Sequence, residues 1–173
     1  KLLCDIGMAA EIPECPHTKE FADAALDEIG NFLSKPAGLY KDMLEGSEIG
    51  AHELDVEPLH GLNEIVQNAD DAGASTLLFG IESQAGKQIL TVVHDGEPVE
   101  LRDVVAMALP WVSTKRNDAL TKGKFGIGLK TLFRITNAIE VSSDPYYFRI
   151  IGGQIKKMSI TRSARRLIKK RSG

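Results

Sequence analysis

Cysteine is scarce in this sequence of 173 residues, and that scarcity excludes one class of domain. The two cysteines, Cys4 and Cys15, do not suffice for the disulfide framework that stabilises small secreted domains. Cys15-Pro16-His17 together with Cys4 matches no standard zinc spacing, which argues against a structural zinc site. A reducing, cytoplasmic setting is therefore the expectation.

Long apolar runs are also missing. No run approaches the roughly 20 residues that cross a membrane as a helix, and no signal-peptide pattern opens the chain. The chain starts with Lys1 rather than Met, as expected of a fragment or a processed form. Apolar residues make up 43% and charged residues 26%, values typical of a soluble globular domain with a real core.

Acidic residues are absent from the C-terminal segment 156–173. Of the 21 Lys and Arg residues, eight lie in this segment, whereas all 24 Asp and Glu residues lie before it. The pattern predicts an acidic body with a basic tail. The tail is either a short basic helix that meets nucleic acid or an anionic membrane, or a solvated terminus. No aromatic residues interleave its charges, which weakens the nucleic-acid interpretation.

The stretch from Leu59 to Gly73 predicts an amphipathic helix that ends at Gly73. Its apolar residues recur at i, i+3, i+4 and i+7, the spacing of a core-facing stripe. They are Leu62, Ile65, Val66 and Ala69. Glu64, Asn68 and Asp71 lie within about 60° of one another on another face. This second face is either a solvated surface or a binding surface.

Further helices and strands are predicted on both sides of this helix. Residues 19–33 predict an amphipathic helix, residues 39–44 a short helix, and residues 46–58 a loop. Two strands are predicted over 75–82 and 88–94, joined by a turn at 84–87. Residues 101–109 predict a helix that Pro110 stops. Two more strands, 138–143 and 146–151, flank a turn at Asp144-Pro145.

Two later segments are candidates for contact with a ligand. The second strand delivers Asp95-Gly96 at its end, as either a turn or a ligand contact. Residues 110–122 are polar and cationic and predict a mobile lid. They lead into Gly123-Lys-Phe-Gly-Ile-Gly-Leu-Lys130, in which three glycines open a predicted helix over 129–135. Glycines let the backbone approach an anion closely, and a helix N-terminus offers N–H groups to phosphate.

The order of these motifs resembles the Bergerat-fold (GHKL) ATPases: gyrase B, the ninety-kilodalton heat-shock chaperone, histidine kinases and MutL. Glu64-Ile-Val-Gln-Asn-Ala-Asp-Asp-Ala-Gly-Ala74 looks most like the sacsin-type branch. His94–Pro98, Ser113–Lys115 and Gly123–Lys130 agree with that branch. The resemblance covers residues 59–135. It implies a two-layer α/β sandwich, in which helices cover one face of a mixed β-sheet and ATP lies between helices and lid.

The resemblance also implies a role for each polar residue of the helix. Glu64 would be the catalytic base that orients and deprotonates the attacking water. Asn68 would bind Mg²⁺ through its amide oxygen, since a hard cation prefers oxygen ligands. Asp95 would accept a hydrogen bond from the adenine amino group, with Asp71 nearby. Met107 would either flank the adenine or belong to the core.

The phosphates would be held by the glycine-rich segment. Its backbone N–H groups would wrap them, while Lys115 and Lys130 would neutralise developing charge. The complete set implied to bind the nucleotide is Asn68, Asp71, Asp95, Met107, Thr114, Lys115, Gly123, Lys124, Phe125, Gly126, Ile127, Gly128, Leu129 and Lys130.

The sequence departs from the family in three respects. The family's acidic box often reads Asp-x-Gly-x-Gly, whereas Asp95-Gly-Glu-Pro-Val99 stands here. The later strand that usually supplies a Thr beneath the adenine-binding Asp is not identifiable, nor is the partner domain that supplies a catalytic Lys or Arg. Hydrolysis is therefore expected to be slow.

The expected organisation is an N-terminal helical segment over 1–58, an ATP-binding domain over 59–155 and the basic tail. The expected function is a nucleotide-gated switch of a larger sacsin-like or chaperone-like protein, with slow Mg²⁺-dependent ATP hydrolysis. The alternative is a non-hydrolysing nucleotide-binding scaffold. Expected partners are an adenine nucleotide, other domains or a protein client, and a second copy in a homodimer.

Overall fold

The fold is taken from a computed structural model, which describes residues 17–34, 60–109, 132–160 and 165–166. Three α-helices and five strands lie in the first three of these ranges. In chain order they are α1 (Lys19–Ser34), α2 (His60–Asp71), β1 (Leu77–Gln84), β2 (Lys87–His94), α3 (Leu101–Ala108), a 3-10 turn (Leu132–Arg134), β3 (Ala138–Ser143), β4 (Tyr146–Ile151) and β5 (Gln154–Lys157).

Strands β3, β4 and β5 form an antiparallel sheet with β4 in the middle. The residues of β4 alternate between the two faces, because successive side chains of a strand point in opposite directions. Tyr146, Phe148 and Ile150 are buried, whereas Arg149 and Ile151 are exposed. Arg149 forms an ion pair with Glu140, its cross-strand partner on β3. One face of this sheet therefore carries the core and the other is more exposed.

Helices α1 and α3 pack on the buried face of this sheet. The helix α1 contributes Ala22, Ala25, Leu26 and Ile29 to the core, all of them buried. Val104 and Val105 of α3 are fully buried in the same cluster. The predicted helix at 19–33 and the predicted helix at 101–109 are thus confirmed, and their apolar stripes explain why both pack here.

The contact between α1 and β5 is close because Gly30 has no side chain. A Cβ at Gly30 would lie 3.2 Å from the backbone oxygen of Ile155. At the helix end, the Ser34 hydroxyl donates to Gln154 at 2.9 Å. Lys157 at the end of β5 forms an ion pair with Asp27 of α1 at 2.7 Å. Segments more than 100 residues apart in the chain are therefore joined along one side of the core.

Strands β1 and β2 form a separate antiparallel hairpin. The turn residues Ala85 and Gly86 both have positive φ, 51° and 76°, as a two-residue hairpin turn of the favoured hand requires. This turn sets the register, which pairs Gln84 with Lys87 at one end and Leu77 with His94 at the other. The predicted hairpin and its turn are confirmed.

The architecture is α/β, with small antiparallel sheets and a few helices in the described ranges. The predicted strands 138–143 and 146–151 are confirmed with their bounds. No helix within the described residues is long and apolar enough to span a membrane. The predicted short helix 39–44, loop 46–58, lid 110–122 and glycine-rich segment 123–130 lie outside those residues.

Two expectations need correction. The predicted helix over 129–135 is a 3-10 turn at Leu132–Arg134 where it is described, and Ile135 already lies in the following turn. Strand β5 is not among the predicted strands, and it includes Lys156 and Lys157, the first residues of the predicted tail. The reason is its composition: Gln-Ile-Lys-Lys has one apolar residue, and the strand forms by pairing with β4 while Ile155 packs in the core.

Candidate functional site

The helix α2 has a well-defined carboxyl end. The amide of Gly73 donates to the carbonyl of Asp70 at 2.8 Å, and the amide of Ala74 donates to that of Ala69 at 2.9 Å. Gly73 has a φ of 69°, the left-handed conformation that ends helices in this way. The prediction that the helix ends at Gly73 is confirmed, and the connection to β1 begins from a rigid point.

The two faces of α2 differ as their residue types predict, with one exception. Ala69 is buried, and Leu62 and Ile65 are half-buried. Val66, predicted to face the core, is 45% exposed. The physical reason is its position at the margin of the apolar stripe. Around the helix axis Val66 lies about 60° from Ala69, so when Ala69 faces the core Val66 lies at the edge of the contact. On the polar face, Glu64 and Asn68 are half-buried and Asp71 is exposed.

Asp95 is held by three hydrogen bonds from the connection between α2 and β1. The amides of Ser75 and Thr76 donate to Oδ1 at 2.9 and 2.7 Å. The hydroxyl of Ser75 donates to Oδ2 at 2.8 Å. Both carboxylate oxygens are thus engaged, and the plane of the carboxylate is oriented from one side.

These hydrogen bonds stabilise the negative charge of Asp95. The Ser75 hydroxyl, and then the Thr76 amide, stabilise the ionised form and hold the pKa of Asp95 well below its usual range. Partial burial acts in the opposite direction and is outweighed. Asp95 is therefore an anion at neutral pH, and it can accept hydrogen bonds but not donate them.

The next two residues bring the loop directly against the end of α2. The amide of Glu97 donates to the carbonyl of Ala72 at 2.8 Å. A Cβ placed on Gly96 would lie 2.6 Å from that same carbonyl oxygen and 2.9 Å from the Cβ of Ala72. Only glycine permits this approach. The loop 95–97 and the helix end are therefore locked together by backbone contacts.

The residues that follow this loop contact β3 and begin α3. The amide of Val99 donates to the hydroxyl of Ser143 on β3 at 2.9 Å. Glu100 and Asp103 exchange hydrogen bonds in a capping box at the start of α3, which satisfies amides that the first helical turn leaves unpaired. Met107, expected either beside the adenine or in the core, is half-buried and packs against the core cluster.

The structure describes part of the predicted set of residues. The loop that begins at Asp95 lies against Ala72, which follows Asp71 at the end of α2, while Glu64 and Asn68 lie on the preceding turns of the same helix. The remaining residues of the predicted nucleotide set lie outside the described residues: Thr114, Lys115, Gly123, Lys124, Phe125, Gly126, Ile127, Gly128, Leu129 and Lys130. Within the described ranges, no three His, Cys, Asp or Glu side chains form a ready-made metal site.

Sequence reasoning missed Ser75 and Thr76, although a signal was present. The two-residue turn pairs Leu77 with His94, so the residues just outside that pair, Thr76 and Asp95, must be neighbours. Polar residues that flank a hairpin whose register is known can be matched across it in this way.

The comparisons with known proteins leave the family open. No family model matches the chain, and no solved structure matches it. The protein NO VEIN of Arabidopsis thaliana is 34% identical over 112 residues, which are 61% of this chain. The match spans 4% of the length of that protein.

Proposed function

We propose that this chain is an ATP-binding domain with the Bergerat sandwich, which hydrolyses ATP slowly with Mg²⁺ and acts as a nucleotide-gated switch. The observation that carries the proposal is Asp95. Its carboxylate is anionic, oriented by three hydrogen bonds, and fixed at the end of the helix that bears Glu64 and Asn68. An anion that can only accept hydrogen bonds suits the exocyclic amino group of adenine.

The polar face of α2 supports the same orientation of the nucleotide. Glu64 precedes Asp71 by two helical turns, which is about 10 Å along the helix axis. A nucleotide whose adenine lies at Asp95 therefore has its phosphates towards Asn68 and Glu64. In this arrangement Glu64 orients and deprotonates the water, because a carboxylate is the usual base for that proton.

The donor chemistry of this face fits a magnesium ion that arrives with the phosphates. The amide oxygen of Asn68, half-buried on α2, is a hard ligand of the type that Mg²⁺ accepts. When bound, Mg²⁺ neutralises charge on the phosphate oxygens. The protein contributes one side-chain ligand, since Mg²⁺ keeps several waters and is bound largely through the substrate phosphates.

The switch in this proposal depends on residues 110–130, which join α3 to the 3-10 turn at Leu132. The terminal phosphate of ATP provides an anion for Lys115 and the amides of Gly123–Gly128, whereas ADP lacks it. A difference in binding between the two nucleotides produces two states that another domain can recognise. The match to a small part of a much longer protein is consistent with a module that acts on other domains or on a client.

A binding and turnover experiment tests the proposal. Calorimetry with ATP and Mg²⁺ should show saturable binding to the wild type, and phosphate release should be slow but measurable. Glu64→Ala should bind ATP and release no phosphate, since the base acts only on the attacking water. Asn63→Ala, at an exposed position of the same helix, is the matched control and should keep both activities.

The outcomes separate the two functions. Binding with no phosphate release in the wild type would favour a non-hydrolysing scaffold. Release by Glu64→Ala at the wild-type rate would show that the base is another residue. No binding of any adenine nucleotide would contradict the proposal.

A further inference from the structure

The side chain of Ser75 has no role in the proposed function so far. It lies just before β1, in the connection that leaves the capped end of α2, and its hydroxyl donates to Oδ2 of Asp95 at 2.8 Å. Its own amide donates to Oδ1 of the same carboxylate at 2.9 Å. One residue therefore contacts both oxygens of the group that the proposed function assigns to adenine.

We propose that Ser75 is a positioning residue that sets the purine specificity of the site through Asp95, an inference that rests on the proposed function. The hydroxyl holds the carboxylate in one rotamer and presents it as an acceptor. Adenine carries an amino group at C6, whereas guanine carries a carbonyl oxygen there. An oriented carboxylate therefore attracts the first base and repels the second.

Three donors oppose rotation of the carboxylate about the Cβ–Cγ bond. The amides of Ser75 and Thr76 donate to Oδ1, and a change of side chain does not remove them. The Ser75 hydroxyl donates to Oδ2, and of the three donors it is the one that a side-chain substitution removes. The same hydroxyl is the largest contribution to the lowered pKa of Asp95.

The rigidity of the surroundings gives this bond its effect. The connection that carries Ser75 starts at the helix cap formed by Gly73 and Ala74, and the loop that carries Asp95 is pinned to Ala72 through Glu97. Neither segment can shift to replace a lost hydrogen bond without breaking these contacts. A local change at residue 75 should therefore alter the orientation of Asp95 rather than relax into the backbone.

The test compares Ser75→Ala, Ser75→Thr and Ser83→Ala. Ser83 is exposed near the turn of the hairpin, eight residues or about 26 Å of extended chain beyond Ser75, and is the matched control. Dissociation constants for ATP and GTP should be measured by calorimetry for each variant, with thermal unfolding as a check of folding. The pKa of Asp95 should be followed by carbon-detected NMR of its carboxyl group.

Ser75→Ala should weaken ATP binding about tenfold, as expected for one hydrogen bond to a charged group. It should also lower the ratio of ATP to GTP affinity and raise the pKa of Asp95. Ser75→Thr retains a hydroxyl and should restore all three, and Ser83→Ala should leave them unchanged. A purely structural role for Ser75 would lower thermal stability without changing the ratio of ATP to GTP affinity.

The inference and the proposed function fail in different ways. If the wild type binds ATP and Ser75→Ala keeps both its ATP affinity and its preference over GTP, the inference is wrong while the proposed function stands. If the wild type binds no adenine nucleotide, the proposed function fails, and the specificity role of Ser75 fails with it.

Discussion

Replacing Gly96 with alanine should separate the loop 95–97 from the end of α2. The added Cβ would lie 2.6 Å from the carbonyl oxygen of Ala72, 3.0 Å from its carbonyl carbon and 2.9 Å from its Cβ. An ordinary contact begins at 3.4 Å, so the loop must move by roughly 0.8 Å. The atoms in the way are largely backbone atoms at a capped helix end, which cannot rotate aside as a flexible side chain would.

The expected cost has two parts. Overpacking of this kind destabilises a folded protein by about 1–3 kcal/mol. The displacement also lengthens the bond from the Glu97 amide to the Ala72 carbonyl, now 2.8 Å, and such a bond contributes about 1 kcal/mol. We expect Gly96→Ala to lower the free energy of unfolding by about 2–4 kcal/mol. Misplacing Asp95 should also weaken ATP binding at least tenfold.

Urea denaturation of Gly96→Ala and Gly86→Ala checks this reasoning. Gly86 has a φ of 76°, and a Cβ added there would meet nothing within 4 Å, so its substitution costs only backbone strain of about 1–2 kcal/mol. It lies at the hairpin turn and should leave ATP binding unchanged. The reasoning would be refuted if Gly96→Ala were as stable as the wild type, or if Gly86→Ala lost as much ATP affinity.

Two further predictions concern the core. Gly30→Ala should destabilise the domain by about 1 kcal/mol despite the better helix propensity of alanine, because the new methyl lies 3.2 Å from the Ile155 oxygen. Asn31→Ala, at an exposed position of α1, is the control. Equal stability of the two variants in urea denaturation would contradict the prediction. Burial, aided by the charge of Glu100, raises the pKa of Tyr146 from 10.0 to about 12. The contribution of the neutral phenol to the free energy of unfolding is therefore fully present below pH 10 and is lost as the pH rises towards 12. Tyr146→Phe should remove this part of the loss of stability at alkaline pH. If the variant and the wild type show the same dependence of the free energy of unfolding on pH, the role of Tyr146 is wrong.

Much of the local structure follows from residue spacing. The 3.6-residue stripes of α1, α2 and α3 and the alternation in β1 to β4 are local patterns, and they predict the elements within a few residues. Gly73 ends α2 because few other residues adopt positive φ. Strand β5 could not be predicted in this way, since it has one apolar residue, Ile155, and forms by pairing with β4.

The residue types of the candidate site could be predicted from the sequence, whereas its geometry could be predicted only in part. The spacing of Glu64, Asn68 and Asp71 places three polar groups on one face of α2, and a strand that ends at Asp95 offers a carboxylate at its end. Nothing in that spacing says that Ser75 and Thr76 hold the carboxylate, because their contact crosses the hairpin.

The sequence by itself determined the helices, the hairpin register and the chemical types at the site, because each depends on periodicity or on turn residues a few positions apart. Tertiary structure alone decided how close Gly96 comes to Ala72, the exposure of Val66 at the margin of the apolar stripe of α2, and the lowering of the pKa of Asp95. These three depend on atoms brought together from distant positions in the chain, and distances of a few tenths of an ångström set their energies.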